Sequence, residues 1–231
     1  MKHKEPESGL TNTAEPESYY PLFVNLRGKK VVVVGGGKVA ERKILSLLKA
    51  RADVTVISPK ITKKIENERC KGNLKLINRQ YRNGDLDNAF LVIAATDCPI
   101  TNEKASKDAP CLLNVVDTPG LCNFIVPSTV NRGPLTIAVS TGGVSPALSR
   151  SIRRELEKEF GSEFAHYLES LRKIRAEAVE VIRDKRKRSR FLKALASDKL
   201  LEMLKEKGFK ETKRIAEDLF KRAKTGSVTA K

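Results

Sequence analysis

The sequence predicts an α/β protein that begins with an open, mostly parallel β-sheet covered by helices on both faces. Uninterrupted β-branched runs at 30–34 and 53–57 are typical of strands buried on both sides. A glycine turn and an amphipathic stretch separate these runs, which makes them a strand–helix–strand unit. The alternation then continues, with further strands predicted at 74–77, 90–95 and 111–116.

Helices are predicted between these strands, at 38–50, 61–68 and 101–108. Parallel strands joined by crossover helices are the arrangement of Rossmann-type nucleotide-binding domains. We therefore predict a Rossmann-type parallel sheet domain over residues 20–117.

A small β-rich segment is predicted at 118–145. Its two strands, at 124–130 and 135–140, are joined by Asn131-Arg132-Gly133-Pro134, a hairpin-type connection. Two strands of this length cannot bury a core alone, so the segment must pack on another surface. A second copy of the chain is the expected surface, which makes 118–145 the predicted dimerisation segment.

A helical domain is predicted over 146–231. Ser145 is a suitable cap and Pro146 a suitable first-turn residue for its first helix. Three more amphipathic stretches follow, at 163–183, 190–207 and 211–223. The domain should therefore contain three or four helices.

The charge of the chain limits its partners. The 231 residues include 45 Lys and Arg against 28 Asp and Glu, a net charge of +17, and residues 146–231 hold 24 basic against 14 acidic side chains. This field attracts polyanions such as nucleic acid, anionic lipid or a multiply carboxylated small molecule. Nucleic acid is not expected, because the basic residues are spread over all the helices rather than gathered in a helix-turn-helix.

Residues 1–19 are predicted to be a disordered tail, with Glu5, Glu7, Glu15 and Glu17 among Pro, Ser and Thr. The tail lacks the apolar centre of a signal peptide. No apolar stretch of the sequence reaches the ~18 residues that a membrane span requires. We expect a cytoplasmic protein with no membrane segment.

The cysteine pattern argues against a metal site and against disulfides. Successive cysteines are 28, 13 and 11 positions apart, so none forms a C-x-x-C pair. Only His3 and His166 add potential ligands. No metal site is predicted, and the four thiols, Cys70, Cys98, Cys111 and Cys122, are expected to be reduced.

The glycine turn carries the clearest functional signal. It reads G-x-G-x-x-A directly after a buried strand and at the start of a helix. Gly35 permits the tight turn, Gly37 lets the backbone approach a pyrophosphate, and the small Ala40 allows close helix packing. A P-loop is excluded, because no Gly-Lys-Ser/Thr follows. The residues predicted to bind a dinucleotide here are Gly35, Gly36, Gly37, Lys38, Val39 and Ala40.

The end of the second strand departs from the usual dinucleotide pattern. An Asp or Glu there usually binds the adenosine ribose, whereas this chain has Ser58-Pro59. Ser58 can still donate a hydrogen bond, so both residues are included in the predicted cofactor site. NAD is the expected cofactor, with the choice between NAD and NADP left open.

Several motifs in a fixed order carry a family resemblance over residues 20–165. Together they resemble the precorrin-2 dehydrogenase family, which includes the dehydrogenase and ferrochelatase domains of siroheme synthases. The motifs are Pro21-Leu22-Phe23, the glycine turn extended to Lys43, Ala94-Ala95-Thr96-Asp97, Asn114-Val115-Val116-Asp117, Phe124-Ile125-Val126-Pro127-Ser128 and Ser140-Thr141-Gly142-Gly143-Val144-Ser145-Pro146.

The resemblance implies a homodimer that oxidises precorrin-2 to sirohydrochlorin with NAD and that, in some members, also inserts iron into the product. The family's catalytic aspartate corresponds to Asp117, and cofactor contacts are implied at Thr96 and Asp97. Substrate contacts are implied at Asn114, Thr141, Gly142 and Gly143. Thr141 aligns with a serine of many members, so only the hydroxyl is retained.

The chemistry of Asp117 agrees with this role. It lies just past the predicted end of a strand, where open α/β sheets bind their ligands. A carboxylate there can take up the proton that the substrate loses as hydride moves to nicotinamide. The alternative is that Asp117 only caps the turn at Thr118-Pro119-Gly120. Likewise, Gly142 and Gly143 either form only a turn or let the backbone approach a tetrapyrrole.

Arginines near the motifs suit the eight carboxylates of precorrin-2, with a solvated surface role as the alternative for each. They are Arg42, Arg132, Arg150, Arg153 and Arg154. Two other classes of function stay open, an NAD-sensing nucleic-acid-binding regulator and a module that carries a tetrapyrrole without chemistry. Reduction of NAD in step with a spectral change of the tetrapyrrole separates the enzyme from both.

Overall fold

The structure, a computed structural model, describes residues 19–225. Two compact units make up the chain; the first ends at Val126 and the second begins at Pro127. The tail predicted at 1–19 lies outside the described residues except for Tyr19. The domain boundaries predicted after 117 and 145 stay predictions.

The first unit has the predicted Rossmann-type architecture. Its five strands form one parallel sheet in the order β3-β2-β1-β4-β5. The strands are β1 (Lys30–Val34), β2 (Asp53–Ile57), β3 (Leu74–Ile77), β4 (Leu91–Ala94) and β5 (Leu112–Val115). The helices are α1 (Lys38–Lys49), α2 (Lys63–Cys70) and α3 (Pro99–Asp108), and a short 3-10 helix spans Pro119–Leu121.

Burial on both faces of the sheet explains the uninterrupted apolar runs. Val31 and Val33 of β1 belong to one hydrophobic cluster, and Val32 and Val34 belong to another on the opposite face. All four side chains are at most 1% exposed. Each face therefore needs apolar residues, and β-branched side chains supply them.

The strands end in register along one edge of the sheet. Val34 pairs with both Ile57 and Ala94, and Ala94 pairs with Val115. The loops after β1, β2, β4 and β5 consequently all start at this carboxyl edge. Open parallel sheets bind their ligands there.

The second unit begins with a two-stranded antiparallel sheet, β6 (Ser128–Arg132) and β7 (Leu135–Val139). The strand predicted at 124–130 begins later than expected, at Ser128. The preceding residue is Pro127, which has no backbone N–H to donate to a neighbouring strand. The carbonyl of Phe124 instead accepts from Asn114 Nδ2 at 3.2 Å. The connection is the two-residue turn Gly133-Pro134, with Gly133 at φ 59°.

Four helices complete the second unit: α4 (Pro146–Glu159), α5 (Glu163–Val181), α6 (Lys185–Ala194) and α7 (Asp198–Thr225). The predicted cap is confirmed, because Ser145 Oγ accepts from the Leu148 N–H at 3.2 Å. Asp184 caps α6 in the same way, through the N–H groups of Arg186 and Lys187.

One break differs from the predicted helix boundaries, because the stretch predicted as one helix at 190–207 is interrupted between α6 and α7. The break predicted between 207 and 211 is present, because Gly208 adopts φ 74° inside α7. Glycine is the residue that tolerates this left-handed conformation. The apolar sides of α5, α6 and α7 meet in one core that includes Phe164, Phe191 and Phe220. Within 19–225, no helix is long and apolar enough to cross a membrane.

Candidate functional site

Two of the three glycines in the turn after β1 are required by the close approach of neighbouring backbone. Gly35 has φ 119°, and a Cβ there would lie 2.3 Å from the Ala95 carbonyl oxygen. A Cβ on Gly36 would lie 2.1 Å from the Lys60 carbonyl oxygen. The turn therefore packs closely between the loop after β4 and the loop after β2.

Gly37 is different, because nothing lies within 4 Å of where its Cβ would be. Its φ of −77° suits any residue, so neither sterics nor backbone conformation requires glycine there. The open space above Gly37 lies at the N-terminus of α1. A diphosphate needs this space, so the turn fits a dinucleotide.

The first turn of α1 offers hydrogen-bond donors to such a ligand. No side chain in the described range caps this helix, and the first backbone bond runs from Glu41 N to Gly37 O at 2.9 Å. The N–H groups of Lys38, Val39 and Ala40 therefore have no partner within the helix. Together with the helix dipole they form an anion site.

In the loop after β2, the Ser58 side chain forms a hydrogen bond within the loop itself. Ser58 Oγ donates to the Lys60 carbonyl at 2.6 Å, and the residue is buried. Its proton is thus committed within the loop, so the hydroxyl is available to a ligand only as an acceptor and not as the donor expected from the sequence. Pro59 follows in the same loop, and Thr62 N donates to Gly36 O at 3.2 Å, which ties this loop to the glycine turn.

Glu41 is a residue that sequence reasoning did not single out. Its side chain is 8% exposed and lies 3.4 Å from Lys64 Nζ. A hydrogen bond from Thr62 lowers the pKa of the Glu41 carboxyl. Because Thr62 also caps α2, this buried carboxylate joins the first turns of α1 and α2 beside the predicted cofactor site. An acidic residue in a first helical turn was the available signal.

Thr96 and Asp97 follow β4 and have different surroundings. The amide side chain of Asn102, also missed from the sequence, bonds Thr96 three times: Oδ1 accepts from Thr96 N (3.3 Å) and Oγ1 (2.8 Å), and Nδ2 donates to Thr96 O (3.0 Å). This holds the loop that contacts Gly35. Asp97 is exposed, and no hydrogen bond or ion pair involves its carboxylate within 19–225.

Asp117 lies two residues past β5 in a left-handed conformation, with φ 58°. Few residues other than glycine adopt it, and Asp and Asn are among those that do. The turn is closed by Thr118 N donating to Val115 O at 3.4 Å. The carboxylate is exposed and, among the described residues, has no hydrogen bond or ion pair, so it is free to contact a ligand.

Cys122, expected only as a reduced thiol, supports this turn. Its Sγ accepts from Val115 N at 3.1 Å and lies 3.2 Å from Val115 O and 3.4 Å from Thr118 O. Asn114 Nδ2 contacts the same sulfur at 3.6 Å. The Asn114 side chain therefore braces the Asp117 turn in this structure.

Lys43 of α1 is a half-buried cation of the same unit. Burial lowers the pKa of its ammonium group. The sequence signal was the Arg42-Lys43 pair after the glycine turn. Within 19–225, no cluster of three or more His, Cys, Asp or Glu is arranged to hold a metal ion.

The second unit contains Thr141, Gly142 and Gly143, in the loop between β7 and α4. Thr141 Oγ1 lies 3.1 Å from Ser149 Oγ and accepts from Ser145 N at 3.0 Å. Gly142 and Gly143 have φ 60° and 88°, and nothing lies within 4 Å of a Cβ on Gly143. The loop is a fixed turn whose backbone at Gly143 is open to a ligand.

The structure thus gathers one set of predicted residues at the carboxyl edge of the sheet in the first unit, after β1, β2, β4 and β5. The second set, Thr141 to Gly143, belongs to the second unit. Each set is ordered by local hydrogen bonds. The roles assigned to the individual residues stay predictions.

Two family profiles match this chain, one over most of the first unit and one within the second. Residues 22–128 match a family profile described as putative NAD(P)-binding, and residues 132–159 match one described as sirohaem biosynthesis protein central. With its glycine turn, the first unit is therefore a nicotinamide-nucleotide-binding domain.

The similar proteins are siroheme synthases and a precorrin-2 dehydrogenase. The siroheme synthase of Azotobacter vinelandii is 37% identical over 202 residues, which cover 86% of this chain and 44% of the relative. That of Methylobacillus flagellatus is 44% identical over 140 residues, 59% of this chain and 30% of the relative. The chain spans less than half the length of these relatives.

Among solved structures, SirC, precorrin-2 dehydrogenase, superposes with a TM-score of 0.74 at 26% sequence identity, over 87% of this chain and all of that one. The fold, both family profiles and the similar proteins all indicate a relationship to enzymes of sirohaem biosynthesis. Over most of its length the chain is thus similar to siroheme synthases and to precorrin-2 dehydrogenase.

Proposed function

We propose that this chain oxidises precorrin-2 to sirohydrochlorin, with NAD as the hydride acceptor, as a cytoplasmic homodimer. The observation that carries the proposal is the free carboxylate of Asp117 at the edge of the sheet that also holds the glycine turn. β5 is two strands away from β1, so the two loops start about 10 Å apart. This distance suits a base that acts on a substrate next to the nicotinamide of a bound dinucleotide.

The residues of the glycine turn would hold the cofactor. The N–H groups of Lys38, Val39 and Ala40 bind the diphosphate, and Gly37 leaves room for it. When bound, NAD supplies a two-electron acceptor for hydride. Ser58 and Pro59 border the adenosine end, and Thr96 and Asp97 border the nicotinamide end.

Asp117 takes up the proton that the macrocycle loses when hydride leaves. The oxidation removes two hydrogens, one as hydride and one as a proton, and the carboxylate is the acceptor for the proton. The left-handed turn, braced by Cys122 and Asn114, holds the carboxylate out toward the substrate. Thr141, Gly142 and Gly143 are the proposed substrate contacts of the second unit.

The two-stranded sheet supports the dimer. β6 and β7 pair only with each other among the described strands, so their outer edges are open. Such a hairpin gains stability from a partner surface. Sedimentation velocity should give twice the mass of the chain, and a monomer at micromolar concentration would contradict the dimer.

The test is an anaerobic incubation of the purified chain with precorrin-2 and either NAD or NADP. We expect NADH to form in step with the spectrum of sirohydrochlorin and to form faster with NAD than with NADP. Subsequent addition of Fe²⁺ tests iron insertion, which the same carboxylate serves by accepting protons from pyrrole nitrogens. A tetrapyrrole spectrum unchanged by NAD would overturn the dehydrogenase.

A further inference from the structure

The loop after β4 is held by a buried side chain that the proposed chemistry does not use. Asn102 lies in the first turns of α3 and is 8% exposed. Its Oδ1 accepts from Thr96 N at 3.3 Å and from Thr96 Oγ1 at 2.8 Å, and its Nδ2 donates to Thr96 O at 3.0 Å. One amide therefore bonds the N–H, the hydroxyl and the carbonyl of a single residue.

The start of α3 depends on this amide for its attachment to the rest of the unit. The buried residues of α3 are Asn102 and Ala105, and Ala105 contributes only a methyl group to the core. Ile100, a large apolar side chain of the same helix, is 78% exposed. Because apolar packing is so limited here, the hydrogen bonds of Asn102 fix the start of the helix and the loop before it.

The proton of the Thr96 hydroxyl is used inside this network. Two acceptors lie within reach of that proton, Asn102 Oδ1 at 2.8 Å and Cys98 O at 3.1 Å. The hydroxyl oxygen also accepts from Cys98 N at 3.2 Å. A hydroxyl has a single proton, so Thr96 has none left to donate to a cofactor. Thr96 therefore connects Asn102 to the loop.

The peptide group that Asn102 fixes is the one that packs on the glycine turn. A Cβ on Gly35 would lie 2.3 Å from Ala95 O and 3.2 Å from Thr96 N, which are the two polar atoms of one peptide group. Asn102 Oδ1 accepts from this N–H. Asn102 thus sets the position of the backbone that borders the turn on the β4 side.

The β2 side of the glycine turn is held by other residues. Gly35 N donates to Ile57 O at 2.9 Å, and Gly36 O accepts from Thr62 N at 3.2 Å. β2 and β4 lie on opposite sides of β1. A dinucleotide lies across this point of the sheet, with one half over each side. The two halves of a bound cofactor would therefore meet surfaces that different residues hold in place.

We propose that Asn102 is a positioning residue for the nicotinamide half of the cofactor and acts through the loop at Thr96. The inference rests on the proposed function for the placement of nicotinamide beside that loop. Without the amide, the loop loses its fixed position and the nicotinamide half loses contacts, whereas the adenosine half keeps the surface beside β2. Affinity for NAD should therefore depend on Asn102 more strongly than affinity for ADP-ribose, which lacks only the nicotinamide.

Asn102→Asp is the most informative change, because it keeps the shape of the side chain. A carboxylate oxygen would replace Nδ2 at 3.0 Å from Thr96 O, so two acceptors would face each other. Asn123→Asp is the control, matched in its bonds. Asn123 Nδ2 likewise donates to a backbone carbonyl, that of Cys111 at 2.9 Å, and its Oδ1 accepts from Leu113 N at 2.7 Å.

Calorimetric titration of the full chain with NAD and with ADP-ribose tests the proposal. Asn102→Asp and Asn102→Ala should each raise the Kd of NAD about tenfold, the effect of one lost hydrogen bond, and leave the Kd of ADP-ribose within about twofold. Asn123→Asp should leave both Kd values within about twofold. The fluorescence of bound NADH should shift toward that of free NADH in the two Asn102 variants but not in Asn123→Asp.

Hydrogen exchange in the unchanged chain is a second measurement, which does not depend on how well the variants fold. NAD should protect the amides of residues 95–98 more strongly than ADP-ribose does. Equal protection by the two nucleotides would overturn the proposal.

Two results of the titrations would also overturn it. One is an NAD affinity that falls no more than the ADP-ribose affinity in the Asn102 variants, as a merely structural role predicts. The other is a selective loss of NAD affinity in Asn123→Asp. Failure of the proposed function is seen separately, as absence of NADH from precorrin-2 although the unchanged chain binds NAD.

Discussion

The backbone of Asp117 links stability to chemistry at a single residue. Its φ of 58° costs most residues about 1 kcal/mol, whereas glycine adopts it freely. Asp117→Gly should therefore leave the free energy of unfolding unchanged or raise it by up to about 1 kcal/mol, and Asp117→Ala should lower it by about 1 kcal/mol. Both should fail to form NADH. Urea unfolding of the two variants checks this, and equal stabilities would contradict the strain.

The glycines of the turn after β1 should separate folding from cofactor binding. Gly35→Ala puts a Cβ 2.3 Å from the Ala95 carbonyl and should destabilise the first unit by about 3 kcal/mol. Gly37→Ala meets nothing within 4 Å and should cost under about 1 kcal/mol, the effect of a poorer cap. It should nevertheless raise the Kd of NAD at least about tenfold, because the methyl group fills the space for the diphosphate. Thermal unfolding and calorimetric titration measure the two effects.

At this scale the sequence predicted the glycine turn and Asp117 but not their surroundings. The positive φ of Asp117 and the contacts of Cys122 depend on how the chain returns from the 3-10 helix, which no local pattern encodes. Asn102 bonds to Thr96 six residues earlier, and Glu41 pairs with Lys64 of the neighbouring helix α2, and no motif in the sequence marks either contact. Ser58 was expected to donate to a ribose, yet its own loop takes the proton.

At the scale of elements, the loop between β3 and β4 is held by one ion pair. Both carboxylate oxygens of Asp85 accept from Arg79, at 2.8 and 2.7 Å, and one also accepts from Arg82 N at 2.8 Å. The Arg79 guanidinium chiefly holds the pKa of Asp85 below its ordinary value. The pair therefore stabilises the fold above the unfolded pKa of about 3.9, and its contribution is lost as the pH falls through the lower folded pKa.

Asp85→Asn should consequently lower the free energy of unfolding by about 2 kcal/mol at neutral pH. The difference from the unchanged chain should shrink as the pH falls below about 4. Asp53→Asn is the matched control, because its pair with Lys75 is exposed and 3.4 Å long, and it should cost under about 0.5 kcal/mol. Urea unfolding across the pH range measures both, and a pH-independent loss for Asp85→Asn would refute the charge effect.

Strands proved more predictable than helices in this chain. β1, β2 and β3 match their predicted bounds, because β-branched runs end at glycine, proline or polar residues. The strand predicted from 124 failed because Pro127 interrupts it and because the Phe124 carbonyl accepts a hydrogen bond from Asn114. The division of 190–207 between α6 and α7 depends on packing of Phe191 and Leu204 into one core, which periodicity alone does not locate.

At the scale of the whole molecule, each unit has its own hydrophobic core. Phe191 is 3% exposed and stacks on Phe220 with ring centroids 5.3 Å apart in the second unit. Phe191→Ala should destabilise that unit by about 3–5 kcal/mol, the usual effect of removing a buried ring. Because the glycine turn belongs to the first unit, the Kd of NAD should not change. Thermal unfolding and NAD titration check this, and a weakened affinity for NAD would show that the units are not independent.

The central claim is that the Asp117 carboxylate accepts the substrate proton while NAD accepts hydride. The most direct measurement follows NADH and the tetrapyrrole spectrum together, under anaerobic conditions, with the unchanged chain and with Asp117→Asn. Asparagine tolerates the same backbone conformation but cannot act as a base. The unchanged chain should form one NADH per sirohydrochlorin, and Asp117→Asn should bind NAD normally but react at least about 100-fold more slowly. A variant rate within a few-fold of the unchanged chain would contradict the claim.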